Sequence, residues 1–138
     1  METLKTLLIV LALLGAWEMA WWAAGVGLTA PWSLKGRMRA SAQQPPLLVD
    51  VRTPAEYRWF HIPGARNLPE VIADTSSLDG VDRDRELVVV CMTGHRSPIA
   101  AWQLKKAGFR DVRHLTGGMV GWVAALGPVR SGASEDPR

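Results

Sequence analysis

Cysteine occurs once in this chain of 138 residues, tyrosine once and phenylalanine twice. A single cysteine excludes an intramolecular disulfide and the zinc sites that need several thiolate ligands, so whatever Cys91 does it does as a thiol. Histidine occurs three times, and no metal site is argued from the sequence. Lysine and arginine number 16 against 13 acidic residues, a net charge of +3. No basic run is long enough to form a stripe along a nucleic acid, which excludes that partner. No internal repeat is visible, and a chain of this length is too short for two independent cores, which excludes a multidomain enzyme. With 48% hydrophobic and 21% charged residues, the composition is that of a globular domain and not of a disordered or collagen-like chain.

Four of the seven tryptophans, Trp17, Trp21, Trp22 and Trp32, lie in the first 32 residues, so two compositions are joined in one chain. From Thr6 to Leu28 the sequence reads TLLIVLALLGAWEMAWWAAGVGL, with Glu18 the one ionisable side chain. At a rise of about 1.5 Å per residue, an apolar helix of this length crosses a hydrocarbon core of about 30 Å. The pattern predicts a transmembrane anchor within residues 1–30. A cleaved signal peptide is the alternative, since Lys5 followed by Leu7 to Leu14 is built like its first two regions. The cleavage sites are poor: Glu18 charges one, Pro31 follows another, and Ala23-Ala24-Gly25 is only passable. Lys35, Arg37 and Arg39 after the span, against Lys5 and the terminal amine before it, place the domain on the cytoplasmic side of an inner (plasma) membrane, single-pass. Cleavage would give a periplasmic or secreted domain instead. The tryptophans suit an interfacial belt or helix packing equally, and Glu18 is expected to face a partner helix or to snorkel.

Residues 31–46 read as a basic collar and a polar, Pro-rich linker, SAQQPP at its end. A domain over 47–127 and a polar, flexible tail over 128–138 follow. Leu47 to Val51 and Leu87 to Val90 are continuous apolar runs rich in Val, the pattern of strands buried on both faces of a parallel sheet. Helices are predicted over Pro54 to Phe60, Glu70 to Leu78, Pro98 to Ala107 and Gly121 to Leu126, with a further strand over Val112 to Leu115. Strands alternating with helices give a small α/β domain with a mostly parallel sheet flanked by helices, preceded by one transmembrane helix.

Glu86 to Ala100, ELVVVCMTGHRSPIA, carries the chemistry. A buried strand delivers Cys91 to its carboxyl end, where open α/β sheets bind ligands, and a helix opens at Ser97-Pro98. Ser97 suits the cap of that helix and Pro98 its first turn. The backbone N–H groups of Met92 to Ser97 are placed to converge on the sulfur, the helix dipole stands behind them, and Arg96 adds positive charge. Such surroundings favour a nucleophilic cysteine. Gly94 fits a loop position that needs a positive φ. An inert, buried thiol is the plainer reading of a lone cysteine, and this loop argues against it.

The Cys-x-x-Gly-x-Arg-Ser loop, Cys91 to Ser97, resembles the active-site loop of rhodanese-type sulfurtransferases. Leu48-Val49-Asp50-Val51-Arg52 with Pro54-Ala55-Glu56-Tyr57 resembles that family's first hallmark segment. His61-Ile62-Pro63-Gly64-Ala65 with Asn67-Leu68 resembles the second, and Leu115-Thr116-Gly117-Gly118-Met119 with Gly121-Trp122 resembles the closing one. The resemblance implies a two-step reaction in which a donor such as thiosulfate leaves its outer sulfur on Cys91 as a persulfide, and cyanide or a thiol removes it. It needs no cofactor beyond that covalent persulfide. Cys91 would be the nucleophile; Met92, Thr93, Gly94, His95, Arg96 and Ser97 would bind the substrate, with Arg52 beside them at the rim or, like Asp50, as scaffold. Asp50, Glu56 and His61 would support the loops. His114 matches no motif and is expected on the surface. A sulfur-accepting protein is a further expected partner, besides the membrane.

Four residues separate Cys91 from Arg96, whereas the phosphatases and arsenate reductases of this fold have five, a wider cradle for a tetrahedral oxyanion; the shorter loop makes that activity the minor alternative. A non-catalytic binding module at the membrane is another. The sequence departs from the family's pattern in three places: Phe60 stands where Gly is usual, Met92 and Thr93 make the loop less cationic, and the strand and helix that usually precede Asp50 are expected to be missing, which would leave a sheet edge to be covered otherwise.

Overall fold

The apolar stretch forms a helix, α1 (Glu2–Ala23), in a computed structural model that describes residues 1–41 and 43–133. By length and composition α1 is a candidate membrane span, and none of its residues is buried. Strand β1 (Gly27–Thr29) and helix α2 (Pro31–Ala40) come next. Strand β2 (Leu47–Asp50), helix α3 (Pro54–Trp59) and the short strand β3 (Arg66–Asn67) follow. Then come strand β4 (Leu87–Val90), helix α4 (Ser97–Lys106), strand β5 (Val112–Leu115) and helix α5 (Gly118–Ala124).

The strands form one parallel sheet in the order β1-β5-β4-β2-β3. Each run of apolar residues in β2 and β4 serves both faces by the two-residue period of a strand. Leu47, Val49, Leu87, Val89 and Cys91 join Ala100, Ala101 and Leu104 of α4 in one core. Leu48, Val88 and Val90 join Leu34 of α2, Tyr57 of α3, and Met119 and Trp122 of α5 in the other. Helices thus cover both faces, which explains why these strands are apolar throughout and not alternating.

A strand and a helix do precede Asp50, contrary to the expectation that they are missing. Gly27–Thr29 pairs with Arg113–Leu115 and closes that side of β5, while α2 lays Leu34 in the core beside Trp122. The apolar run hid them: hydropathy rises alike for a residue in lipid and for Val26, which is fully buried in the domain. Pro31 then opens α2 at a position where its missing N–H costs no hydrogen bond.

Glu70 to Leu78 is not a continuous helix but two 3₁₀ turns, Pro69–Ile72 and Ser76–Leu78. Asp74 accepts from both the backbone N–H and the hydroxyl of Ser76, at 2.9 Å each, a local alternative that competes with helical bonding. Part of the polar tail is paired: Arg130 bridges His61, and Gly132 donates to the Arg58 carbonyl. The rest of the tail, 134–138, lies outside the described residues, as does one linker position, 42.

Candidate active site

Cys91 follows β4 directly and is 1% exposed. The loop after it is held from behind by the start of α5. Met119 and Val120 donate their N–H groups to the carbonyls of Cys91 and Met92, at 2.9 and 3.0 Å. Gly118, at φ +54°, comes so close that a Cβ there would overlap the Cys91 carbonyl oxygen. Gly94 turns the loop at φ +89° with the Gly117 backbone against it, and from there its N–H donates to Cys91 Sγ at 3.1 Å. The closing glycine segment is thus the mould of the cysteine loop. Ser97 is the first residue of α4 and makes no cap; its Oγ faces the sulfur instead, accepting from Cys91 Sγ at 3.4 Å.

Arg96 is oriented by Glu56, with Nη2 2.8 Å from Oε1 and Nη1 3.2 Å from Oε2. Glu56 is itself fixed by a capping box: it accepts from the Thr53 N–H, and Thr53 Oγ1 accepts from the Glu56 N–H. The Arg96 guanidinium, helped by the Thr53 donors, holds the Glu56 carboxyl down at about 2, and Glu56 raises Arg96 in return. Negative charge on Cys91 also favours the charged arginine.

Arg52 does not line the site. It is fully buried and grips Asp50 through Nε and Nη2, at 3.0 and 2.7 Å, while Nη2 and Nη1 donate to the carbonyls of Phe60 and Glu56. With its donors committed inside the domain, it is a brace between β2 and α3 and cannot meet a substrate at the rim. His61 stacks on Tyr57 at 3.8 Å between ring centroids, and its Nδ1 lies 2.8 Å from the Tyr57 carbonyl, on the α3 side. His95 and Thr93 are exposed and bonded to each other, Nδ1 to Oγ1 at 3.0 Å, and Met92 leans on the second core.

His114 is not on the surface. It lies fully buried in β5, in register with Val89 on one side and Leu28 on the other. Its Nδ1 is 3.3 Å from Ser97 Oγ and its Nε2 is 2.8 Å from Glu18 Oε2. Burial pushes its pKa down, against the pull of Glu18. The last turns of α1 therefore reach the site: Trp17 sits against His95 with ring centroids 5.6 Å apart, and Trp21 packs on the first core. Sequence reasoning missed His114 because its partner lies 96 residues away in a segment assigned to the membrane. The signal that remained was the carboxylate of Glu18, alone in an apolar run.

A buried sulfur that accepts a backbone N–H at the mouth of a helix, with an arginine behind it, suits an anionic sulfur nucleophile. The rhodanese-like domain family matches residues 31–125. "Thiosulfate sulfurtransferase GlpE" of Pseudomonas fluorescens is 39% identical over 88 residues, 61% of this chain and 76% of that protein. A "Sulfurtransferase" of Allochromatium vinosum is 38% identical over 76 residues, 55% of this chain and 70% of the other. "Probable adenylyltransferase/sulfurtransferase MoeZ" of Mycobacterium tuberculosis is 42% identical over 82 residues, 59% of this chain, but this match spans only 21% of that longer protein. The solution structure of the rhodanese-like domain of an Anabaena protein superposes with a TM-score of 0.67 at 26% identity, over 80% of this chain and 89% of that one. With its five parallel strands, its moulded cysteine loop and these relatives, the chain belongs to the rhodanese-like domain family.

Proposed function

We propose that the chain is a thiosulfate sulfurtransferase-type enzyme that carries sulfane sulfur on Cys91 and is tethered to a membrane by α1. The observation that carries this reading is the hydrogen bond from the Gly94 N–H to Cys91 Sγ, in a loop with four residues between Cys91 and Arg96, one fewer than in the phosphatases that the family resemblance brings into comparison. In the first step the Cys91 sulfur attacks the outer sulfur of the donor, the donor's S–S bond breaks, and its electron pair leaves with sulfite. The persulfide anion then lies where the loop N–H, the α4 N-terminus and Arg96 stabilise negative charge. In the second step cyanide or a thiolate attacks that outer sulfur and Cys91 leaves as the thiolate. Because the chain holds no second cysteine to resolve the persulfide, the sulfur goes to an external acceptor.

The full chain, purified in detergent and incubated with thiosulfate, is expected to gain the mass of one sulfur atom, lost again on adding cyanide. Cys91→Ser should gain nothing. If the parent chain takes no sulfur from thiosulfate or from other sulfane donors, the enzyme reading fails. For the tether, the chain expressed in cells should stay with the membrane pellet through an alkaline carbonate wash; recovery in the soluble fraction would remove that part of the proposal.

A further inference from the structure

We propose that Glu18, His114 and Ser97 form a proton relay to Cys91, with the acidic member supplied by the apolar helix α1. The proposal rests on the reading of Cys91 as a sulfur nucleophile. Four groups lie in line: Cys91 Sγ to Ser97 Oγ at 3.4 Å, Ser97 Oγ to His114 Nδ1 at 3.3 Å, and His114 Nε2 to Glu18 Oε2 at 2.8 Å. A carboxylate only accepts, so Nε2 carries the ring proton of the neutral imidazole and leaves Nδ1 to accept from the Ser97 hydroxyl. The Ser97 oxygen is then free to accept from the cysteine.

The proton moves by breaking the Cys91 S–H bond toward Ser97 Oγ while the Ser97 proton passes to His114 Nδ1. The imidazolium so formed is held by Glu18. The thiolate attacks the donor as above, without further change in proton count, and the relay returns its proton when Cys91 leaves the spent persulfide. Buried His114 has apolar strand neighbours in Leu28 and Val89, and among the described residues Glu18 is the charged group that faces it. Around the sulfur, Arg96 feels Cys91 and Asp50, and it is paired with Glu56. Asp50 is held by Arg52 and His95 by Thr93 and Trp17. Glu18 is thus a positioning residue that acts on the sulfur through His114, and α1 completes the site as well as covering it.

The test is the pH profile of Cys91 alkylation by iodoacetamide, measured on the full chain in lipid vesicles. Glu18→Gln keeps the size and the acceptor oxygen but removes the charge, so a merely structural role would leave the profile in place. The relay requires its midpoint to move about one unit to higher pH, with roughly tenfold slower alkylation on the rising limb and an unchanged plateau. Glu18→Asp should fall between the two. Ser97→Ala should move the midpoint the same way without touching α1, and its unmoved profile overturns the relay even should Glu18→Gln fail to fold. Profiles of Glu18→Gln or Ser97→Ala that superpose on the parent overturn the relay. The readout is independent of sulfur uptake: a parent that alkylates with the expected shifts but takes no sulfur would retain the relay and refute the reaction.

Discussion

Replacing Glu56 by Gln tests whether the Glu56–Arg96 pair supports the loop electrostatically. The carboxyl is lowered from 4.5 to about 2, with Arg96 the main cause. At about 1.4 kcal/mol per unit this shift corresponds to roughly 3 kcal/mol of folded-state stabilisation before screening. The two side chains are 27% and 39% exposed, so solvent screening reduces the expected contribution to about 1–2 kcal/mol. The sign follows from the lowered carboxyl. Stability from the pair is full above the unfolded value of 4.5 and is lost as the pH falls toward 2. Gln keeps an acceptor for the Thr53 N–H, which leaves the capping box in place. Urea unfolding of the parent and of Glu56→Gln, at pH 7 and near pH 2.5, should show the variant about 1–2 kcal/mol less stable at neutral pH and a markedly smaller gap in acid. Equal gaps at both pH values would show that the loss comes from packing or capping and refute the electrostatic account. The same variant frees Arg96 to wander, so sulfur loading should need a higher thiosulfate concentration at an unchanged rate of saturation.

Gly118→Ala places a methyl group against the Cys91 carbonyl at a backbone angle that side chains rarely adopt. It should cost about 2 kcal/mol or more by urea unfolding and slow sulfur loading, whereas a silent variant would show that α5 does not mould the loop. Asp50→Asn leaves Arg52 buried beside a neutral partner, and thermal unfolding should report a loss of about 3–5 kcal/mol. For the folded fraction the thiosulfate KM should be unchanged; a raised KM would return Arg52 to the substrate.

The strands β2 and β4 were legible because a sheet covered on both faces writes itself as unbroken apolar runs, which Leu47 and Leu87 begin, whereas β5, Val-Arg-His-Leu, carries that signal only at its two ends. The cysteine loop was legible because glycine and proline are tied to backbone geometry, as at Gly94 and Pro98. Side-chain destinations were less so. Arg52 and Ser97 occupy motif positions, but nothing in their neighbours in sequence tells a brace from a ligand or a cap from a sulfur contact. The edge strand β1 was hidden for another reason: Val26 to Thr29 are as apolar as the helix before them, and only pairing with Arg113–Leu115 sets them apart. His114 and Glu18 became a pair only when both ends of the chain were folded onto the same strand.

The contact between α1 and the cysteine loop fixes a depth. The helix has 22 residues, but only Glu2 to Ala16, about 22 Å at the ordinary rise, precede the turn whose Trp17 and Glu18 lie against His95 and His114, so a bilayer of about 30 Å crossed by this helix thins around it to end at that turn. A bilayer crossed by this helix would bring its headgroups level with His95 and Arg96, so Cys91 would work inside the diffuse ion layer of the surface. At a surface potential of about −30 mV a dianion such as thiosulfate is depleted roughly tenfold, while neutral thiols are untouched and protons are enriched. Turnover of one and the same protein would then depend on the lipid around it, falling with anionic lipid and recovering with salt.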